Sequence, residues 1–285
     1  MKRMQKGLFF CLMAWSLLTQ AEIHVEKGAL TQGGFAILKT QPGQVWQYHG
    51  HQLKADKKGY ILIGFGRDAQ RKQVITRLQA GHPVEKVVLK IQPRHYTVQR
   101  INGLPKNKVT PDKKTLEKIW QDIRLAKQAR RIVLPTPYFN SGFIWPTSGI
   151  ISGIYGSQRI LNGHPRRPHL GVDIAAPVGR LVVAPADGEV TLAKNMVLSG
   201  HTLMVDHGWG LRSTMMHLHK MYVKEGQKVK KGEPIGEVGQ TGRATGPHVH
   251  WGMSWFNTRL DPSLAILSTP TLKPGDQVTN SWIDH

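Results

Sequence analysis

Cysteine is almost absent from this chain: Cys11 is the one thiol in 285 residues. It sits in an apolar run, Gly7 to Leu18, near the start. The rest of the chain therefore cannot form disulfides or zinc–thiolate sites. Acidic residues are also scarce, 18 against 39 Lys and Arg, leaving a net charge of +21. That imbalance suits an anionic partner, either nucleic acid or an anionic envelope surface. No helix-turn-helix, zinc-finger or aromatic RNA-binding signature accompanies the charge, so nucleic acid is set aside. Long apolar stretches are missing too, since the 7–18 run falls short of the about 20 residues that a membrane span needs. No HExxH motif occurs, and the glycine-rich run 239–246 lacks the GK[ST] ending of a phosphate loop.

What the beginning does contain is an export pattern. Lys2, Arg3 and Lys6 precede the apolar run, and Thr19-Gln-Ala21 offers small residues for cleavage. Residues 1–21 are expected to be a signal peptide cut after Ala21, which sends the chain to the periplasm, the cell wall or the exterior. Cleavage would remove three basic residues, taking the net charge to +18. Cys11 lies too early for a lipoprotein site.

The remaining chain is long enough for one or two domains. It reads as mostly β. Residues 22–106 carry short strand patterns at 36–38, 44–48, 60–64, 84–91 and 95–99, separated by Gly, Pro, Asp and Lys clusters, which predicts a small β-sandwich. Residues 107–135 form a helical linker. Thr110 suits the N-cap, Pro111 the first helical position and Asp112 the positive end. Leu116, Ile119, Trp120, Ile123 and Ala126 mark one apolar face, expected to pack on a neighbouring domain. Residues 136–285 return to strands and glycine turns, with strands expected near 182–184, 189–192, 202–205 and 248–251.

Histidine is plentiful, 14 in all. Five residues stand out as a hydrolytic metal set: His169 and Asp173 in His169-Leu-Gly-Val-Asp173, His217, and the pair His248-Val-His250. A catalytic zinc takes three ligands from His, Asp, Glu or Cys and keeps a place for water. Two His and one Asp supply such a set. His248 and His250, two apart on a strand, point to one side. Taken singly, any of these histidines is more ordinarily a packed or solvated residue.

The ordered text from Ser152 to Pro262 resembles the M23 (lysostaphin/LytM-like) zinc metallopeptidases. The matching stretches are His169-Leu-Gly-Val-Asp173-Ile-Ala-Ala-Pro177-Val-Gly179, Ala184-Pro-Ala-Asp-Gly188, Met216-His217-Leu218, Val223-Lys-Glu-Gly226 and Gly239-Gln-Thr-Gly242-Arg-Ala-Thr-Gly246-Pro-His248-Val-His250. The resemblance implies a C-terminal two-sheet groove with one Zn²⁺ per chain, held by His169, Asp173 and His250. It implies His217 and His248 as catalytic residues, with His219 a competitor of His217. It implies peptidoglycan stem peptides as substrate, the D-Ala–diaminopimelate cross-link in a diderm envelope or a glycine bridge otherwise. The family often has an aromatic residue before the first catalytic histidine, where this chain has Met215 and Met216. Residues 22–106 resemble the immunoglobulin-like domain some members carry. A catalytically silent regulator of other wall hydrolases is the alternative, but its ligand positions should be substituted. A biotinyl or lipoyl carrier, suggested by Val223 to Gly236, lacks a modifiable-lysine tripeptide. His164, His201, His207 and His219 are expected to be structural or solvated, and Arg243 a solvated arginine or a substrate-carboxylate contact.

Overall fold

The computed structural model describes residues 23–101, 113–161, 164–165, 167–266, 272–281 and 283. The expected signal peptide, Cys11 and the helix-cap residues Thr110 to Asp112 lie outside them.

Residues 24–90 form two small antiparallel sheets. One pairs His24–Gly28, Phe35–Lys39 and Tyr60–Gly64; the other orders His51–Lys54, Val45–Tyr48, Lys72–Gln79 and His82–Lys90. The Lys72–Gln79 strand, central to its sheet, was not among the expected strands. Its text is polar, yet Gln73, Ile75 and Leu78 turn inward. Buried Gln73 is satisfied by accepting from the Tyr48 hydroxyl and donating to the Gln70 carbonyl. The last expected strand of this half is shifted, at Val98–Ile101. It pairs in parallel with Gln158–Leu161, in the C-terminal half.

The helix spans Lys113–Ala129. Its packed face overlaps the expected one only in part. Leu116, Trp120 and Ile123 are exposed, Trp120 by 59%. Contact is made by Ala126, from the expected face, and by Ala129 one turn on, which sit against Leu192, Met196 and Met204. Asp122 accepts the Val197 amide at 2.7 Å. Small alanines allow close approach, and the carboxylate satisfies a hairpin N–H, so these contacts override the bulk of the neighbouring apolar stripe.

The C-terminal half is built on a nine-stranded antiparallel sheet. Its centre runs Gly188–Met196, Gly200–Asp206, Leu211–Leu218, His248–Trp255, Val172–Ala175 and Gly149–Gly153. A second sheet joins Leu181–Val183, Pro234–Glu237 and Lys220–Met221. Alternation in the His248–Trp255 strand sets its two faces. Val249, Trp251, Met253 and Trp255 are fully buried on one side, which leaves His248, His250, Gly252 and Ser254 on the other. The buried side continues into the N-terminal sheets. Tyr48 lies 5.7 Å from Trp255 between ring centroids, and a side chain at Gly64 would strike Trp255. One hydrophobic cluster therefore runs from Phe35 to Val278. Among the described residues no helix is long and apolar enough to cross a membrane.

Candidate metal centre and active site

Two neighbouring strands present the core of the site. Asp173 and His250 are direct partners in the antiparallel pairing of Val172–Ala175 with His248–Trp255, so their side chains share a face at close range. His169 enters from the loop preceding Asp173. The three donor atoms form a small triangle. His250 Nδ1 is 2.7 Å from Asp173 Oδ1, His169 Nε2 is 3.1 Å from the same oxygen, and the two nitrogens are 3.0 Å apart. A tetrahedral ion with bonds of about 2.0–2.1 Å needs donors roughly 3.3 Å apart. The triangle is one face of such a polyhedron, only slightly contracted.

The donor chemistry agrees with that reading. His169 Nδ1 faces the Ile154 carbonyl at 3.0 Å, so it carries the proton and Nε2 keeps its lone pair. Orientation of a ligand imidazole by a carbonyl is a common feature of metal sites. Burial works against ionisation of Asp173, but the adjoining His169 and His250 outweigh it, holding the carboxyl well below the usual range. Burial holds His250 below its ordinary value, against the raising effect of Asp173. A carboxylate with neutral imidazoles is the ligand set a divalent cation requires. Glycines make the room: a Cβ at Gly171 would stand 2.6 Å from the His250 ring, and one at Gly153 would stand 2.6 Å from Asp173 Oδ2.

His217 and His248 stand beside the triangle, ring centroids 4.8 Å apart. His248 Nδ1 faces the Gly246 carbonyl and His217 Nδ1 faces the Thr241 carbonyl, each at 2.8 Å. Both Nε2 atoms are thereby left with lone pairs. His248 Nε2 lies 3.8 Å from Asp173 Oδ1. Burial lowers the His217 pKa, with the Thr241 bond opposing. The side chains of His169, Asp173, His248 and His250 each keep 13–15% of their surface exposed, which leaves the cluster reachable.

The five expected residues are thus gathered on one sheet face. The other histidines are elsewhere. His219 is exposed, so His217 is the one beside His248. His201 bonds the Leu218 and His219 carbonyls. His207 is fully buried between the Asp187 carbonyl and Ser213. The side chain of His164 lies outside the described set. Met215 is buried, whereas Met216, cross-strand partner of His250, is half-buried on the site face. Arg243 is exposed on the 239–246 loop. Three contributors were not legible: the carbonyls of Ile154, Thr241 and Gly246 orient imidazoles, and main-chain oxygens leave no signature in residue type.

A histidine–aspartate–histidine cluster on an antiparallel sheet, beside two further imidazoles, is a donor set that could hold a divalent ion. Residues 167–262 match Peptidase family M23 and form an M23 domain. The chain is similar to the peptidoglycan DD-endopeptidase ShyA of Vibrio cholerae, 43% identical over 84 residues, 30% of this chain and 20% of that protein. It is similar to an uncharacterized metalloprotease of Haemophilus influenzae, 38% identical over 208 residues, 72% of this chain and 38% of that one. A crystal structure of an M23 peptidase from Pseudomonas aeruginosa superposes with a TM-score of 0.66 at 28% identity, covering 84% of this chain and 96% of that one. The chain thus spans about a fifth to two fifths of the length of these two curated relatives.

Proposed function

We propose that this protein is a zinc metalloendopeptidase that hydrolyses peptide cross-links of bacterial peptidoglycan in the cell envelope, the D-Ala–diaminopimelate bond being the expected target. The observation that carries the reading is the triangle of His169 Nε2, Asp173 Oδ1 and His250 Nδ1, with edges of 2.7–3.1 Å. Zinc bound there supplies positive charge, which acidifies water and polarises a scissile carbonyl. His169, Asp173 and His250 are the proposed ligands, one ion per chain.

His217 and His248 carry the proton work. Each holds Nδ1–H on a carbonyl, so each offers Nε2 to take a proton from the attacking water. Once protonated, the same nitrogens hold the developing oxyanion and pass a proton to the leaving amine. Lowering of the His217 pKa by burial keeps its base form available at neutral pH.

Residues 136–285 are proposed as the catalytic domain and 107–135 as its helical linker. The small antiparallel sheets at 24–90 support an immunoglobulin-like domain over residues 22–106, which spaces or docks the catalytic half. A silent regulator would have lost ligands, and none is missing from this set.

The test incubates the full chain with purified sacculi, with and without a chelator, and identifies released fragments by mass spectrometry. New amine termini in stem peptides that vanish with chelator and return with zinc are expected. Unchanged muropeptides from zinc-loaded protein would remove the endopeptidase reading.

A further inference from the structure

The helix Lys113–Ala129 carries two separate lines of residues. Asp122, Ala126 and Ala129 line the side docked on the sheet. Lys113, Leu116, Trp120, Ile123 and Lys127 recur at steps of three and four, roughly a third of a turn away. This second line is open to solvent: Leu116 is 39% exposed, Trp120 59% and Ile123 45%. It runs for roughly 21 Å along the helix.

Positive charge frames the apolar stretch. Lys113 and Lys127 stand at its two ends, Arg124 beside Ile123, and Arg131 just past the helix. All four are exposed, and their side chains have no partner among the described residues. From 113 to 131 the chain holds seven Lys and Arg against two acids, Glu117 and Asp122. Asp122 is already taken up by the Val197 amide. The helix is also held against rolling. Buried Arg212, paired with Asp206, donates to the Arg130 carbonyl at 3.0 Å and the Ile132 carbonyl at 2.6 Å. Three large apolar side chains are therefore kept outward in water, an arrangement that marks an interaction surface. A soluble polyanion would need the charge alone. Trp and aliphatic side chains in a line, with cations at the ends and flank, suit a helix lying in a lipid interface. Long basic side chains can lay their stems along acyl chains and keep their heads on phosphates.

We propose that this helix is a surface anchor for an anionic lipid bilayer. Leu116, Trp120 and Ile123 seat at the boundary of headgroups and acyl chains, while Lys113, Arg124, Lys127 and Arg131 meet the headgroup phosphates. The anchor rests neither on the metal cluster nor on the peptidase reading. Leu192 and Met204, on which the helix is docked, belong to the sheet that carries His169, Asp173 and His250. Seating the helix therefore holds that sheet beside the bilayer, with the helix lying along the surface and not crossing it.

The test uses residues 22–285, which contain every described strand and helix, so that the apolar run 7–18 cannot itself bind lipid. Wild type, Trp120→Ser, the pair Arg124→Gln with Lys127→Gln, and Val88→Ser are compared, each first checked for a cooperative melt. Val88 is 53% exposed on the N-terminal sheet and serves as the control for apolar surface elsewhere. Co-sedimentation is measured with vesicles of phosphatidylcholine alone and of phosphatidylcholine mixed with phosphatidylglycerol, with and without zinc. Wild type should bind the mixed vesicles saturably, release them as salt rises, and leave pure phosphatidylcholine unbound. Trp120→Ser should lower partitioning about tenfold, the double charge variant about tenfold or more, and Val88→Ser should match wild type. Tryptophan emission should shift to the blue on the mixed vesicles in wild type and not in Trp120→Ser. Absence of binding to the mixed vesicles would overturn the anchor. So would vesicle binding that Trp120→Ser retains in full while the charge variant loses both vesicles and soluble polyphosphate, since the surface would then read charge alone. Self-association of wild type in solution that Trp120→Ser abolishes would also overturn it, giving the apolar line to a second copy of the chain.

Discussion

His217 holds a left-handed backbone, φ +65°, a conformation that costs a non-glycine residue of order 1–3 kcal/mol. Its N–H donates to the Ser199 carbonyl at 2.8 Å and its Nδ1 to Thr241, so the surroundings impose the strain. The bend points the imidazole at His248. His217→Gly should relieve the backbone while deleting the proton-transfer group. A melting midpoint equal to or above wild type is expected, with turnover of a cross-linked stem peptide lowered about 10²–10⁴-fold. Retained turnover in a folded His217→Gly protein would remove His217 from the mechanism. His207 makes a second prediction at this scale. Burial holds its pKa down to about 4, below the unfolded value of about 6.5. The unfolded chain therefore binds the extra proton first as pH falls. The stability from neutral His207 is complete above about pH 6.5 and is lost as pH drops towards 4, in total about 3 kcal/mol. His207→Gln should flatten that part of a urea-denaturation series taken from pH 7 to pH 4.

At the scale of elements, the helix shows how packing chooses among apolar residues. Trp120 is bulky yet 59% exposed, whereas Ala129 is 5% exposed against the sheet. Trp120→Ser should change stability by less than about 0.5 kcal/mol. Asp122→Ala removes the acceptor of the Val197 amide and should cost about 1 kcal/mol. Chemical denaturation of both variants checks the pair; a larger loss at Trp120 than at Asp122 would mean the helix docks by its other face. Periodicity reveals that a helix is amphipathic, but the docking angle is fixed by residues distant in sequence, here Leu192, Met196 and Met204. The same reason hid the Lys72–Gln79 strand. Its inward Gln73 is polar and is acceptable only because Tyr48 is there to bond it. By contrast, strands with apolar alternation, such as Tyr60–Gly64, were legible. So was the placement of the site residues, because Asp173, His248 and His250 fall in short motifs that map onto adjacent strands, with His169 in the loop just before.

At the scale of the whole molecule, the two halves share a core and a polar tie. Arg94 Nη1 donates to Asp261 Oδ2 at 2.8 Å and to the Gln32 carbonyl at 3.3 Å. Asp261 is only 2% exposed, and its other oxygen takes the Ser263 amide and hydroxyl. Arg67 Nε donates to the Gly156 carbonyl, and its guanidinium stacks 4.4 Å over Tyr96. Gly156 N–H in turn donates to the His169 carbonyl, so contacts from the N-terminal half end one residue from the main chain of a proposed ligand. Removing Arg94 leaves a buried carboxylate without its cation. Because Arg94 keeps a quarter of its surface, the penalty is smaller than for a fully buried pair, about 2 kcal/mol. Arg94→Ala should lower the melting midpoint by several degrees. It should do so in one calorimetric transition, since the core from Phe35 to Val278 is continuous. Arg94→Met, which keeps the bulk but not the charge, should lose about as much. Two separate transitions, or a loss in Arg94→Ala that Arg94→Met restores, would show that packing rather than charge joins the halves.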